Sequence, residues 1–285
     1  MLRPYILLIL LSIVVAACTG ETASSGTVAV DSAGIRVVTN GAPRWEEGQE
    51  WRVASEALVT FGGRSPDGSD AVLLPAGAMR QSSGRVVVGD RGSDNIKLFS
   101  ADGSLEDVIG RTGSGPGEFR YLVWVKDCGG DSIFTYDLDS RETTVFSPEG
   151  DPTRTLTVHT PEARPPFGLV CNRNGVFLTS GWGPPPLVPE GTEPYRKMVP
   201  VSLADRNGSV TAVPGEFPGT EMMHEFNGAT PRRMGRWLRL ALTDSLAWVA
   251  ANDTPELLAY GLDGKLRMIV RTPSAKRPIT DEDVA

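Results

Sequence analysis

Behind an apolar N-terminal stretch, the chain is written in short apolar runs separated by turns rich in Gly, Pro, Asn and Asp. Gly and Pro total 54 of 285 residues and punctuate these runs. This punctuation, at about 8–12 residue intervals, predicts short strands and turns, hence an all-β chain. Four segments share one plan. Arg85 to Asp90 precedes Ile96 to Phe99, the turn Ala101-Asp102-Gly103 and then Leu105 to Ile109. Ser132 to Asp137 precedes Thr143 to Phe146, Pro148-Glu149-Gly150 and Thr153 to Val158. Val176 to Thr179, Met198 to Leu203, Arg206-Asn207-Gly208 and Val210 to Val213 make the third. Leu246 to Val249, Leu257 to Tyr260, Leu262-Asp263-Gly264 and Leu266 to Val270 make the fourth.

The turn glycines at 103, 150, 208 and 264 are 47, 58 and 56 residues apart. A repeat of about 40–50 residues with four short strands has the size of a β-propeller blade. One such sheet cannot bury both faces alone, whereas blades stacked around an axis can. Unrelated hairpins in a sandwich are the alternative. The fold class expected is all-β, a β-propeller of four-stranded antiparallel blades. Four blades are clear, and Gly34 to Asn40 with Trp51 to Phe61 supply part of another. The last residues, Pro278 to Ala285, read as the start of a helix, with Thr280 as N-cap and Asp283 in an acidic first turn. A helix that short is not stable alone. The expectation is therefore a propeller incomplete at its C-terminus.

The N-terminus changes the picture from fold to address. Arg3, the apolar run Ile6 to Val15 and the small residues before Cys18 have the layout of a secretory signal peptide. The run is too short to span a bilayer. Val15-Ala16-Ala17-Cys18 resembles the lipobox of bacterial lipoproteins, which implies cleavage before Cys18 and acylation of that cysteine. An ordinary cleaved signal with an incidental cysteine is the alternative. Thr19 after the cysteine favours the outer membrane. The organisation expected is a signal peptide over 1–17, a lipidated flexible tether over 18–26 and a propeller domain over 27–285. No later segment is apolar enough for a transmembrane helix, so the membrane is met through the lipid anchor, periplasmic or at the cell surface.

Two further resemblances narrow the fold. Gly110-Arg111-Thr112-Gly113-Ser114-Gly115-Pro116-Gly117-Glu118-Phe119 resembles the blade-linking signature of NHL-repeat six-bladed propellers. Asp31-Ser32-Ala33-Gly34-Ile35-Arg36-Val37-Val38 is similar to the opening of bacterial six-bladed propeller lipoproteins. The family implies a fold and little function. Pro214-Gly215-Glu216-Phe217 repeats the PGEF of 116–119 and reads as a second blade linker.

Composition removes some function classes. A formal net charge of −7 argues against a general nucleic-acid surface. Two histidines, His159 and His224, without paired Cys or His spacing, argue against a structural zinc site. Gly113, Gly115 and Gly117 lack the GxGxxG spacing and the following helix of a phosphate cradle. With Cys18 assigned to the lipid, Cys128 and Cys171 remain. Each precedes an Asp or Asn by three residues at the end of the first strand of adjacent repeats. That equivalence predicts a disulfide, two buried free thiols being the alternative.

Strand parity sorts the loops. With strands A to D from the axis outward, the A–B and C–D turns share one end and are short. The B–C and D–A connections share the other, including the proline-rich Gly183 to Arg196 and the long Pro214 to Gly235. Long loops carry function more often than tight hairpins. The candidate binding face therefore gathers Trp182, Tyr195, His224, Phe226, Arg232, Arg233 and Arg236 beside Asp90, Asp94, Asp137 and Asp139. Arginines there can pair with carboxylates or phosphates and aromatics can anchor a partner, or the arginines are solvated or paired with local acids. No cofactor is predicted; Asp137 and Asp139 are the carboxylates that could hold Ca²⁺ or another divalent ion. No nucleophile–base constellation stands out, and His224 is the single acid–base candidate. The function expected is a lipid-anchored envelope module that binds a protein or glycan, more a binder than an enzyme. The alternative is a metal-assisted lactonase or lyase, as some six-bladed propellers hold a divalent ion on their axis.

Overall fold

The computed structural model describes residues 26–41, 48–49, 51–161, 166–181, 193–225, 228–273 and 280. Cys18, Trp182, Phe226 and the expected helix start after Thr280 lie outside them. Among the described residues there are strands and turns but no helix, hence none long and apolar enough to cross a membrane.

Two strands open the chain, β1 (Val28–Ser32) and β2 (Ile35–Thr39). They form a hairpin whose two turn residues, Ala33 and Gly34, both have positive φ, as a tight two-residue turn requires. The first four-stranded sheet follows, with β3 (Pro75–Arg80), β4 (Val86–Asp90), β5 (Asn95–Phe99) and β6 (Leu105–Ile109). The second is β7 (Leu122–Asp127), β8 (Ile133–Asp137), β9 (Glu142–Phe146) and β10 (Pro152–Leu156). The third is β11 (Pro166–Cys171), β12 (Phe177–Gly181), β13 (Met198–Ala204) and β14 (Val210–Pro218). A small hairpin, β15 (Met222–Glu225) and β16 (Gly228–Pro231), precedes the last sheet. That sheet comprises β17 (Arg239–Leu242), β18 (Leu246–Ala250), β19 (Glu256–Gly261) and β20 (Leu266–Arg271).

All four sheets are antiparallel meanders in chain order, and they form the open arc of a β-propeller. The cores lie between blades rather than within them. Met79, Val87, Ile96 and Leu98 of the first blade meet Leu122, Val125, Ile133 and Phe146 of the second. Phe134, Tyr136 and Val145 meet Leu169, Phe177 and Ala204 across the next interface. Leu178, Val201 and Leu203 meet Ala247, Val249 and Tyr260 across the third. Strands β4, β8 and β12 are therefore covered on both faces, and the polar residues they contain, Thr135, Thr179 and Ser180 among them, are buried with the apolar ones. The outer strands β6 and β10 are exposed at most positions. Gly89 sits where blades press together: a Cβ there would lie 2.3 Å from Val125 Cγ2.

The repeat units of the sequence coincide with these blades, and the structure departs from expectation at the ends and the linkers. Residues 51–61 form no strand, and Trp51 is fully exposed. Part of that segment still packs as an outer strand would, for Thr60 carbonyl and Val59 close over Gly103 as Thr157 and Val158 close over Gly208. The N-terminal hairpin joins the fourth blade instead, β2 lying parallel to the outer strand β20. Pro214 to Phe217 is not a second linker. It continues β14 past a register shift and pairs with β13, Phe217 opposite Val199. The sequence likeness to 116–119 survives only as a buried phenylalanine in each. The connection from Pro214 to Gly235 is consequently partly strand and partly the β15–β16 hairpin.

The disulfide is present, Cys128 to Cys171 with Cα atoms 5.4 Å apart. It joins the chain just beyond β7 to the end of β11, so it ties the second blade to the third at their inner strands.

Candidate functional site

The loop end is built on a repeated carboxylate. Asp90, at the end of β4, is wholly buried. Its oxygens accept N–H bonds from Leu73 (3.1 Å) and Leu74 (2.9 Å), just before β3, and from Gly92 (3.1 Å) in the following turn. Ser93 Oγ (2.7 Å) and Lys97 Nζ (2.9 Å) donate to it as well. Asp137 at the end of β8 does the same one blade on. It accepts from the N–H groups of Arg120 and Tyr121 (both 2.7 Å) and of Asp139 and Ser140 (both 2.9 Å). Burial opposes ionisation of both carboxyls. The donors outweigh it and hold both below the usual aspartate range, Lys97 foremost for Asp90 and the Ser140 N–H for Asp137. Each aspartate thus fastens the incoming D–A connection to the outgoing B–C turn, and four or five donors occupy its lone pairs. Gly181 stands at this position in the third blade, opposite Pro166 as Asp137 is opposite Leu122.

There an arginine braces the loops instead. Arg196, nearly buried, donates from Nε to Gly219 carbonyl (2.7 Å) and from Nη2 to the carbonyls of Pro218 (2.9 Å) and Ala251 (3.0 Å). Its Nη1 reaches both oxygens of Asp253, at 2.6 and 2.7 Å. Arg236 bridges Asp253 (3.1 Å) and Glu221 (3.2 Å), and Arg232 also meets Glu221 (3.3 Å). The backbone and side chain of Arg236 are the main reason the Glu221 carboxyl falls to about 2. Beyond this lattice the face is cationic and aromatic. The Arg91 guanidinium lies 5.3 Å from the Tyr121 ring centre, and that of Arg239 lies 4.7 Å from Trp237. Arg233 is exposed and has no ion-pair partner among the described residues. A 440 Å³ hollow beside Tyr121 is lined by Arg120, Leu138 and Asp139.

The opposite end holds a larger feature. The A–B turns of all four blades line one cleft of 740 Å³. Ser82 comes from the first blade, Asp127 and Gly129 to Asp131 from the second, Cys171 to Arg173 from the third and Leu242 to Asp244 from the fourth. Neighbouring turns are cross-braced: Ser82 donates from backbone and hydroxyl to Asp131, and Asn172 Nδ2 donates to Thr243 carbonyl (3.1 Å).

No protein-family profile matches the chain, and no curated protein matches it. Solved structures do. A putative exported protein from Bacteroides fragilis is 13% identical, with a TM-score of 0.47, over 78% of this chain and 56% of that one. A streptogramin B lyase is 13% identical, with a TM-score of 0.41, over 70% of this chain and 55% of that one. An inactive variant of virginiamycin B lyase from Staphylococcus aureus is 10% identical, with a TM-score of 0.37, over 73% of each. The chain spans a little over half the length of the first two.

The structure brings some of the sequence-selected residues together and separates others. Arg232 and Arg236 share Glu221, and Arg233 is exposed beside them. Tyr195 is half-buried and pairs through its backbone with Met222, while His224 lies in β15 opposite Ala229. Asp94 accepts from Thr112 Oγ1 (3.3 Å), and Asp139 from Arg120 (3.2 Å). Asp90 and Asp137 face inward, as described. Sequence reading missed Arg91, Arg120, Tyr121, Arg196, Trp237 and Arg239 on this end. Arg196 could not be found that way, since its partners lie 22 to 57 residues away. Tyr121 and Trp237 carried a usable signal, each sitting just before an A strand.

Proposed function

We propose that this chain is a lipid-anchored envelope β-propeller that binds a protein or glycan partner through the end carrying its B–C and D–A connections. The observation that supports this reading is the rim of that end. Arg91 on Tyr121, Arg239 on Trp237 and the exposed Arg233 offer charge that no nearby carboxylate takes up among the described residues. A guanidinium placed over an aromatic ring and without a carboxylate on its N–H groups retains donors for a bidentate carboxylate, phosphate or sulfate. The acids beneath are consumed in holding the loops, so the rim is set in place before a partner arrives. The address comes from the signal-like residues 1–17 and the lipobox-like cysteine at 18. More than one acyl chain on Cys18 would hold the body at a membrane stably.

Two experiments test the two parts. Cys18→Ser should move the protein from the membrane fraction to the soluble one; retention in the membrane refutes the anchor. A photocrosslinking residue at Arg233 or Arg239 should capture the same partner in cells, and one at Asn207, on the opposite end, should not. Equal capture from both ends refutes the binding face.

A further inference from the structure

We infer that the cleft between the four A–B turns is a second binding site, taking a small linear organic cation of the polyamine type. It lies at the opposite end of the strands from the face described above, so neither reading depends on the other.

The cleft is preformed. Its walls are joined blade to blade by Ser82 on Asp131, by the Cys128–Cys171 disulfide and by Asn172 on Thr243. Gly129 makes the second and third turns touch, since a Cβ there would lie 2.1 Å from Arg173 carbonyl. A volume of 740 Å³ falls in the range of ordinary ligand sites, about 300–1,000 Å³. Three carboxylates line it against a single cation, Arg173. They are not equivalent. Asp131 spends both oxygens on Ser82. Asp127 uses one oxygen on Gly129 N–H (2.7 Å), and Asp244 faces Arg173 at a loose 3.5 Å. Asp127 and Asp244 therefore retain acceptor capacity, and they stand on blades at either side of the third. Among the described residues no group of three or more His, Cys, Asp or Glu is placed to hold a metal ion. Carboxylates spread in this way suit a ligand that meets them one at a time along its length. The hydroxyls of Ser82 and Thr243 are already engaged, with Asp131 and with the Leu246 backbone, so Asp127 and Asp244 carry the recognition.

The test is calorimetric titration of the full chain, in non-ionic detergent, with spermidine. Saturable one-site binding that weakens with salt is expected, and Mg²⁺ at equal charge should not displace the ligand. Asp244→Lys alters an exposed turn and should weaken binding about tenfold or more, the loss of roughly 1.4 kcal/mol. Asp127→Asn keeps an acceptor for Gly129 N–H and should weaken it in the same direction. Absence of binding, equal displacement by Mg²⁺, or isotherms unchanged in both folded variants would each overturn the site. Photocrosslinking at Arg233 is unaffected by any of these results.

Discussion

Replacing Asp90 with alanine is the sharpest test of how the loop end is held. The carboxylate is wholly buried, and its partner Lys97 is 5% exposed at the side chain. Removing one member of such a pair leaves an uncompensated charge inside and costs about 3–5 kcal/mol. Lys97 Nζ keeps Asn95 Oδ1 (3.0 Å) and Ser93 Oγ (3.1 Å), which places the cost at the lower end of that range. Three backbone N–H groups, of Leu73, Leu74 and Gly92, lose their acceptor as well. Each would cost about 1–3 kcal/mol if sealed inside, but Leu73, Leu74 and Gly92 are all exposed residues, so together they add only about 1 kcal/mol as water replaces the carboxylate. A total near 4 kcal/mol follows, which for a domain of this size lowers the melting temperature by roughly 8–16 °C. Asp137→Ala is the internal control: it frees four backbone N–H groups but strands no cation, so it should cost less. Lys97→Met should cost less still, because the aspartate keeps four donors. Urea unfolding followed by far-UV circular dichroism measures all three. A loss below about 1 kcal/mol for Asp90→Ala, or an equal loss for Lys97→Met, would refute the argument that this carboxylate organises the loops.

Three further outcomes follow from the same geometry. Reducing Cys128–Cys171, which closes a sequence separation of 43, should cost about 4 kcal/mol by chain entropy, read as a shift in urea midpoint with and without reductant. Glu221 has a carboxyl lowered from 4.5 to about 2, so its contribution is complete above pH about 4.5 and is lost as pH falls toward 2. Glu221→Gln should flatten that acid limb of the stability curve, and an unchanged limb would contradict it. Gly208→Ala and Gly130→Ala both force alanine into positive φ, a penalty of about 1–2 kcal/mol, but only at 208 would the new Cβ lie 2.0 Å from Thr157 carbonyl. The Gly208 variant should therefore unfold at clearly lower urea than the Gly130 variant.

The blades were legible because each rests on local signals. Covered strands such as Val86–Asp90 and Ile133–Asp137 read as apolar runs, and Gly103, Gly150, Gly208 and Gly264 mark turns that need positive φ. The disulfide was legible through equivalence, since corresponding positions in adjacent blades are neighbours in space. Residues 51–61 were not. Their apolar pattern suggests a strand, but a strand needs a partner to complete its hydrogen bonds, and pattern alone does not supply one.

The chemistry was harder for a different physical reason. An aspartate after a strand has the same sequence context whether its carboxylate faces solvent or turns back into the loops, and Asp90 and Asp137 turn back. The lone pairs that make aspartate attractive as a ligand are the ones that order the connections around it. What that end retains beyond them is the guanidinium groups of Arg91 and Arg239 over the rings of Tyr121 and Trp237, which need no buried counter-ion to be held there. At the other end, short turns looked purely structural because each is inert alone. Set side by side from four blades, Ser82, Asp127, Asn172 and Asp244 line one cleft, though the first and last are 162 positions apart in the chain. A propeller makes sites of this kind as a consequence of its repeat: each blade contributes one turn, and the shared end collects them.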